Sequence, residues 1–228
     1  MKAEDYYKQG HTDYTMEQCL STDSRIPNIL EVLDKRVAKG SKVLDLGCGD
    51  MGLSRLRPDY AWTGVDIDNT RTPQAIKHDL GVYPYPLTTC SFDAVVCTEV
   101  LEHLWAPEKT LAEIRRVLKP GGTFIVTVPN YDMIDAVLTG YKHLLYHPKR
   151  LFSVEHIRQY NVDSPTILLN DVGFKVQDVQ GNSLHMSGFF TYPRKRLAQE
   201  LGIDLIKADQ LLGKLFPTTC TGILMVAK

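Results

Sequence analysis

Glu99, Glu102 and His103 lie at i, i+3 and i+4, directly after FDAVVCT at 92–98, a hydrophobic segment that reads as a buried strand. On a helix starting there, this spacing puts three side chains on one face, at the carboxyl edge where parallel sheets bind ligands. Two carboxylates and an imidazole suit a hard divalent cation such as Mg²⁺ or Mn²⁺, and His156, in VEHIRQY, is a candidate fourth ligand. The histidines are equally candidates for moving a proton. Two plainer readings stand beside these: a structural helix start for 99–103, and a hydrogen-bonded packing residue for His156.

A second constellation is VLDLGCGDMG at 43–52, strand residues that run through an acid into a glycine loop. Glycine lets backbone approach a nucleotide-like ligand closely, so Asp45, Gly47, Cys48 and Gly49 read as a cofactor site. Asp66 ends the next strand nineteen residues after Gly47, opposite the loop, where its carboxylate can accept bonds from two ribose hydroxyls, with Ile67 beside it. Gly47, Gly49 and Gly52 also spell G-x-G-x-x-G, a weak signal of dinucleotide binding when it stands alone. Tight-turn glycines and a capping acid at Asp79 are the plain alternatives.

The elements that must position these residues alternate between strand and helix. Residues 1–40 read as an N-terminal helical segment, polar to residue 24 and then a helix near Pro27 with Ile26, Ile29, Leu30, Leu33 and Val37 on one face. Strands follow at 43–46, 62–66, 75–80 and 92–98. A helix is expected over 101–118, stopped by Pro120-Gly121-Gly122, then strands at 123–128, 173–179 and 221–227. The segments after the first two strands are short, so their helices must be stunted. Helical insertions at 130–156 and 185–216 interrupt the alternation. The first carries an apolar stripe, Met133 to Leu145, that fits a lid, a dimer face or a shallow membrane contact, and the second carries the basic cluster Arg194, Lys195 and Arg196. The pattern is that of one doubly wound α/β domain over 1–228.

Composition narrows the function classes. At 228 residues the chain can bury about 70% of its unfolded surface. Its 26 Lys plus Arg against 27 Asp plus Glu give no global field toward nucleic acid or anionic membrane, so a small or neutral substrate fits better. Five cysteines without a C-x-x-C pair suggest neither a disulfide framework nor a thiolate zinc site, and a reducing cytoplasm is the expected location. No apolar run reaches membrane-spanning length, so no stable membrane insertion is expected. Nothing here reads out an oligomeric state.

Five landmarks in order carry a family resemblance: VLDLGCG at 43–49, GVDID at 64–68, HDL at 78–80, FDAVVCTEVLEHL at 92–104 and LAEIRRVLKPGG at 111–122. The chain resembles class I S-adenosylmethionine-dependent methyltransferases, especially small-molecule O-methyltransferases of the ubiquinone-biosynthesis type, over about 25 to 180 plus the last strand. The resemblance implies a Rossmann-like, mostly parallel seven-stranded sheet whose last strand inserts antiparallel between the fifth and sixth. It implies S-adenosylmethionine as cofactor, an acid at Asp45 beneath the loop, Asp79 and the Leu80 amide at the adenine, and Thr98 beside the methionine part. Relatives with a similar Glu-x-x-Glu-His use it for metal, whereas in others the histidine is a base. The family's third loop glycine is replaced by Met51, which implies a slightly different loop geometry.

The expected reaction is methyl transfer to a small-molecule hydroxyl, with His103 as first choice for the proton acceptor, His156 second, and Glu102 in support. Transfer to nitrogen or carbon of a sugar, polyketide or lipid-linked intermediate is the nearer alternative. An NAD-dependent oxidoreductase and a non-catalytic cofactor-binding module are the more distant ones.

Overall fold

The structure is a computed structural model that describes residues 24–130, 156–182, 200–202 and 204–228. Residues 1–23, the apolar stripe at 133–145 and the Arg194–Arg196 cluster lie outside the described residues. Along the chain run α1 (Arg25–Arg36), β1 (Lys42–Leu46), α2 (Gly52–Leu56), β2 (Ala61–Asp66), β3 (Ile76–Lys77) and β4 (Phe92–Thr98). A 3₁₀ turn (Leu101–His103), α3 (Pro107–Val117), β5 (Leu118–Pro129), α4 (Asp163–Asp171), β6 (Val176–Asn182), α5 (Leu205–Leu215), a second 3₁₀ turn (Pro217–Thr219) and β7 (Gly222–Ala227) complete it.

The strands form one sheet in the order β3-β2-β1-β4-β5-β7-β6. β1 to β5 pair in parallel, and β7 runs antiparallel between β5 and β6. This is the doubly wound, seven-stranded sheet expected, with its antiparallel last strand in the expected slot. The order reverses between β1 and β4, so the loops leaving their carboxyl ends open the crevice where such sheets take ligands.

Alternation along the strands sorts two apolar layers. Val43, Ala94, Val96, Leu224 and Val226 face Ile26, Ile29, Leu30 and Leu33 of α1. Leu44, Leu46, Val95, Cys97, Ile223 and Met225 face the other way, toward Leu111 and Ile114 of α3 and Leu169 of α4. Because both faces are covered, the central strands read as continuous hydrophobic runs.

Four boundaries differ from the sequence reading. The third strand shrinks to Ile76–Lys77, leaving Asp79 in a turn. β5 starts at Leu118 and carries Pro120-Gly121-Gly122 within it, with a register shift opposite Phe92 and Ala94. The penultimate strand is displaced to 176–182. The helix expected over 101–118 is broken, and α3 starts only at Pro107. Proline fixes φ and lacks an N–H, so it suits the first helical position, and it pushes the residue before it out of the helical region. Ala106 is accordingly at φ −133°, ψ 66°.

Candidate active site

The chain leaves β1 through left-handed backbone. Gly47 has φ +74° and Gly49 φ +52°, and Met51, in the place of a third glycine, has φ +55°. Gly47 and Cys48 donate to the Val65 carbonyl at 2.8 and 3.2 Å, tying the loop to β2. A Cβ on Gly47 would stand 2.5 Å from Val100 Cγ2, so only glycine fits between this loop and the one leaving β4. A Cβ on Gly49 would meet nothing within 4 Å, which leaves that stretch of backbone open to a ligand. Met51 turns inward, buried with Cys48 and Ala75, and Gly64 on β2 makes room for both sulfurs: a Cβ there would lie 2.7 Å from Cys48 Sγ and 2.9 Å from Met51 Sδ. The replacement for the third glycine therefore fills the floor of the loop and stays off its open side.

Asp66 stands opposite the loop, its Oδ2 accepting from the Gly49 amide at 2.8 Å and its Oδ1 from the Asp68 amide at 3.0 Å. A carboxylate has about four acceptor sites, so both oxygens keep capacity for a diol. Asp45 is buried beneath the loop, and desolvation, with the charges of Asp66 and Asp50 adding to it, pushes its carboxyl up to about 7. Burial likewise pushes the Cys48 thiol up, which argues for a packing role. Asp79 is exposed, and its Oδ1 accepts from the Gly81 amide at 2.8 Å. Leu80 is buried, its carbonyl held by the Tyr85 hydroxyl at 2.9 Å and the Thr110 hydroxyl at 3.3 Å. Ile67 follows β2, and Thr98 ends β4 opposite Thr127 of β5. The expected cofactor residues thus lie along the carboxyl edge of β1, β2, β3 and β4.

Past β4, Glu99 does not begin a helix. It sits at φ +53°, a conformation that costs a bulky residue on the order of 1–3 kcal/mol and persists only where its surroundings enforce it. Its amide donates to the Thr127 carbonyl at 3.1 Å, its Oε1 accepts from the Thr127 hydroxyl at 2.9 Å, and its Oε2 pairs with Arg25 of α1 at 3.1 Å. The 3₁₀ turn that follows points Glu102 inward, fully buried, with both carboxylate oxygens lacking a hydrogen-bond partner. His103 Nε2 lies 3.7 Å and His156 Nε2 4.0 Å from the same Glu102 Oε1. The two rings meet edge to face at 4.8 Å between centroids. One ligand atom from each of Glu102, His103 and His156 falls within 4.8 Å of the others, a group that does not include Glu99. Burial pushes the Glu102 carboxyl well above the ordinary glutamate range; Glu99 adds to this and Arg25 opposes it.

His156 arrives with a stretch that repairs the broken helix. Within the turn the Leu101 carbonyl accepts the Leu104 amide at 3.3 Å, while the carbonyls of Glu102, Leu104 and Trp105, which a continuous helix would have bonded internally, take partners from elsewhere. The Ile157 and Arg158 amides both donate to the Glu102 carbonyl, at 3.0 and 3.1 Å. The Arg158 guanidinium donates to the Leu104 carbonyl at 3.0 Å and the Trp105 carbonyl at 2.5 Å, and the Tyr160 hydroxyl reaches the Leu101 carbonyl at 3.4 Å. Asn130 at the end of β5 bridges to Tyr160. Residues 157–160 thus clamp the 3₁₀ turn and, by doing so, set His156 against His103.

A family profile described as a methyltransferase domain matches residues 22–179, close to the 25–180 read from the landmarks. The chain belongs to the methyltransferase domain family. Its resemblance to class I S-adenosylmethionine-dependent methyltransferases is thereby borne out. A Mycolicibacterium smegmatis protein named "Probable S-adenosylmethionine-dependent methyltransferase" is 31% identical over 167 residues, 66% of this chain and 60% of that one. A ubiquinone biosynthesis O-methyltransferase of Hahella chejuensis is 34% identical over 119 residues, 46% of this chain and 50% of that one. The chain spans about half to three-fifths of the length of the curated relatives it matches. Among solved structures, an S-adenosylmethionine-dependent methyltransferase from Mesorhizobium loti shares the fold with a TM-score of 0.59 at 18% identity, over 90% of this chain and 97% of that one.

Sequence reasoning gave no role to four residues around this candidate site: Arg25, Thr127, Arg158 and Gly64. Pro107 was the readable signal for the helix break, and with it for the need of a clamp. Removing the clamp with Arg158→Ala should destabilise the fold by about 1–3 kcal/mol, measured by urea denaturation, and Arg158→Lys should not restore it because an ammonium lacks the two-pronged fork. Glu102→Gln should act in the opposite direction. A carboxyl raised by burial keeps its proton in the folded state after the unfolded chain has lost it, so stability falls as pH rises above the ordinary glutamate range. The neutral amide should therefore raise Tm at pH 8 and leave it nearly unchanged at pH 4.

Proposed function

We propose that the protein transfers the methyl group of S-adenosylmethionine to a hydroxyl oxygen of a small-molecule acceptor. The observation that carries this reading is the pairing, across one crevice, of an open glycine loop bonded to Asp66 with the buried Glu102 flanked by His103 and His156. Each half has a chemical counterpart in the reaction. Asp66 has acceptor capacity for a ribose diol, and Gly49 lets backbone approach without a side chain in between. Asp45, beneath the loop with its raised carboxyl, is suited to meet a cationic amino-acid head. Asp79, Leu80 and Ile67 are assigned to the adenine side, Thr98 to the methionine side, and Cys48 to the loop floor.

The cofactor supplies a methyl carbon on a sulfonium leaving group, which leaves the protein to place the acceptor and take up its proton. His103 is assigned that proton, His156 stands second in line, and Glu102, which gives up its proton once a cation stands beside it, balances the positive charge that an imidazole gains. A second reading is favoured by the distances. Two imidazole nitrogens at 3.7 and 4.0 Å from one carboxylate oxygen are beyond hydrogen-bond length, which fits a third body between them. Glu102, His103 and His156 are the residues that would hold a divalent cation, and the two unpartnered oxygens of Glu102 support the fit. Such a cation would lower the acceptor hydroxyl's pKa.

A methyl-transfer assay with a panel of phenolic, catechol and amine acceptors tests the reaction, with product analysis fixing the methylated atom. O-methylated product lost in His103→Ala supports the reading, and N-methylated product alone contradicts it. Asp45 supplies a separate test. Meeting a cation requires its ionised form, so cofactor binding should release a proton near and below pH 7 and weaken as pH falls. Calorimetry in buffers of different ionisation enthalpy should register that proton, and Asp45→Asn should abolish it.

A further inference from the structure

The stretch Glu-x-x-Glu-His offers two carboxylates, yet the fold uses them for different purposes. Glu102 and the two histidines converge, whereas Glu99 faces the first residue of α1 and the hydroxyl of Thr127. Neither partner of Glu99 is placed by chance. Arg25 opens a helix whose next turns, Ile26, Ile29, Leu30 and Leu33, are buried against the sheet, so the position of its backbone is fixed by the core. Thr127 is fully buried in β5, in register with Thr98, so its hydroxyl is equally fixed. Glu99 itself is held at positive φ by its amide bond to the Thr127 carbonyl, which directs its side chain toward these two partners.

Among the described residues, what remains is the Glu102 carboxylate with one ring nitrogen from each of His103 and His156. Magnesium prefers an all-oxygen shell and close octahedral geometry, and here one of the two available acids is taken by an arginine. Two histidines and a glutamate, by contrast, are a ligand set of catalytic zinc, and imidazole suits borderline transition metals generally. We infer that Arg25, with Thr127, withdraws Glu99 from the cation site and leaves a two-histidine, one-glutamate centre that selects Zn²⁺ or Co²⁺ over Mg²⁺. This rests on the cation reading of the Glu102 cluster. Arg25 and Thr127 are thereby positioning residues that act on metal choice through Glu99, and Mg²⁺, an obvious partner for two neighbouring carboxylates, becomes the disfavoured ion.

Equilibrium dialysis of the full chain against Zn²⁺, Co²⁺, Mn²⁺ or Mg²⁺, with the visible absorption of bound Co²⁺ as a second readout, tests this without any turnover. The variants are Glu102→Gln, Glu99→Gln, Arg25→Met and the double variant Arg25→Met with Glu99→Gln, each checked for folding by circular dichroism. Arg25→Gln, which removes the charge and keeps a polar side chain, serves if Arg25→Met does not fold. Wild type should bind Zn²⁺ and Co²⁺ more tightly than Mg²⁺, Glu102→Gln should weaken Zn²⁺ by roughly 10–100-fold or more, and Glu99→Gln should leave it unchanged. Arg25→Met should tighten Mg²⁺ and Mn²⁺, and the gain should vanish in the double variant. If Glu99→Gln weakens Zn²⁺ as much as Glu102→Gln does, or if wild type binds Mg²⁺ as tightly as Zn²⁺, the inference is overturned while the cation reading stands. If wild type binds neither Zn²⁺ nor Co²⁺, the cation reading itself fails.

Discussion

The two central strands, β1 and β4, end side by side, and the chain must leave both through left-handed backbone in the same small space. Gly47 turns one exit and Glu99 the other, and Val100 closes the gap between them so tightly that a methyl group on Gly47 would have no room. This steric contact joins the two halves of the crevice. It fixes where the glycine loop presents Gly49 to Asp66, and it fixes where the chain past Glu99 enters the turn that buries Glu102. Both exits are anchored from below by neighbouring strands, β2 through the Val65 carbonyl and β5 through the Thr127 carbonyl, so the sheet's own register sets the geometry of the site.

The second constraint is electrostatic. Glu102 carries two buried oxygens without partners, an arrangement that costs several kcal/mol if the group is ionised and alone. The fold tolerates it because burial keeps the carboxyl protonated above the ordinary glutamate range, while the surrounding backbone is satisfied from outside by the amides of Ile157 and Arg158 and by the Arg158 guanidinium. Stability is thus spent at one carboxyl and recovered in the clamp around it, a pattern common where a site must keep an unsatisfied group ready for its reaction. Asp45 is a milder case of the same design, desolvated beneath the loop and with acidic neighbours rather than basic ones.

Much of this was legible in the sequence where one residue type serves one local purpose. Hydrophobic runs marked the central strands, and Gly47, Gly49 and Asp66 marked a loop and a strand-end acid that the fold brings together, because backbone clearance and strand-end acids are local requirements. The sheet order and the antiparallel last strand came from the family resemblance. The turn at 99–106 was read as a helix because its spacing fits one, although Pro107 pointed to the break. Arg25 and Thr127 escaped notice because their meaning comes from Glu99, which is far from Arg25 in the chain and only adjacent in space. The clamp at 157–160 escaped notice because its partners, main-chain carbonyls of a broken helix, have no signature in side chains. Among the described residues no helix is long and apolar enough to cross a membrane, in keeping with the hydropathy reading.

Calorimetric titration with S-adenosylhomocysteine, beside NAD and with Asp66→Ala as control, tests the account most directly, because it addresses the cofactor without requiring the acceptor. The account predicts micromolar binding of S-adenosylhomocysteine, of the order typical for a pocket of this kind at about −8 kcal/mol, lost in Asp66→Ala and absent for NAD. Binding of NAD in its place, or binding of S-adenosylhomocysteine that survives Asp66→Ala intact, would contradict it.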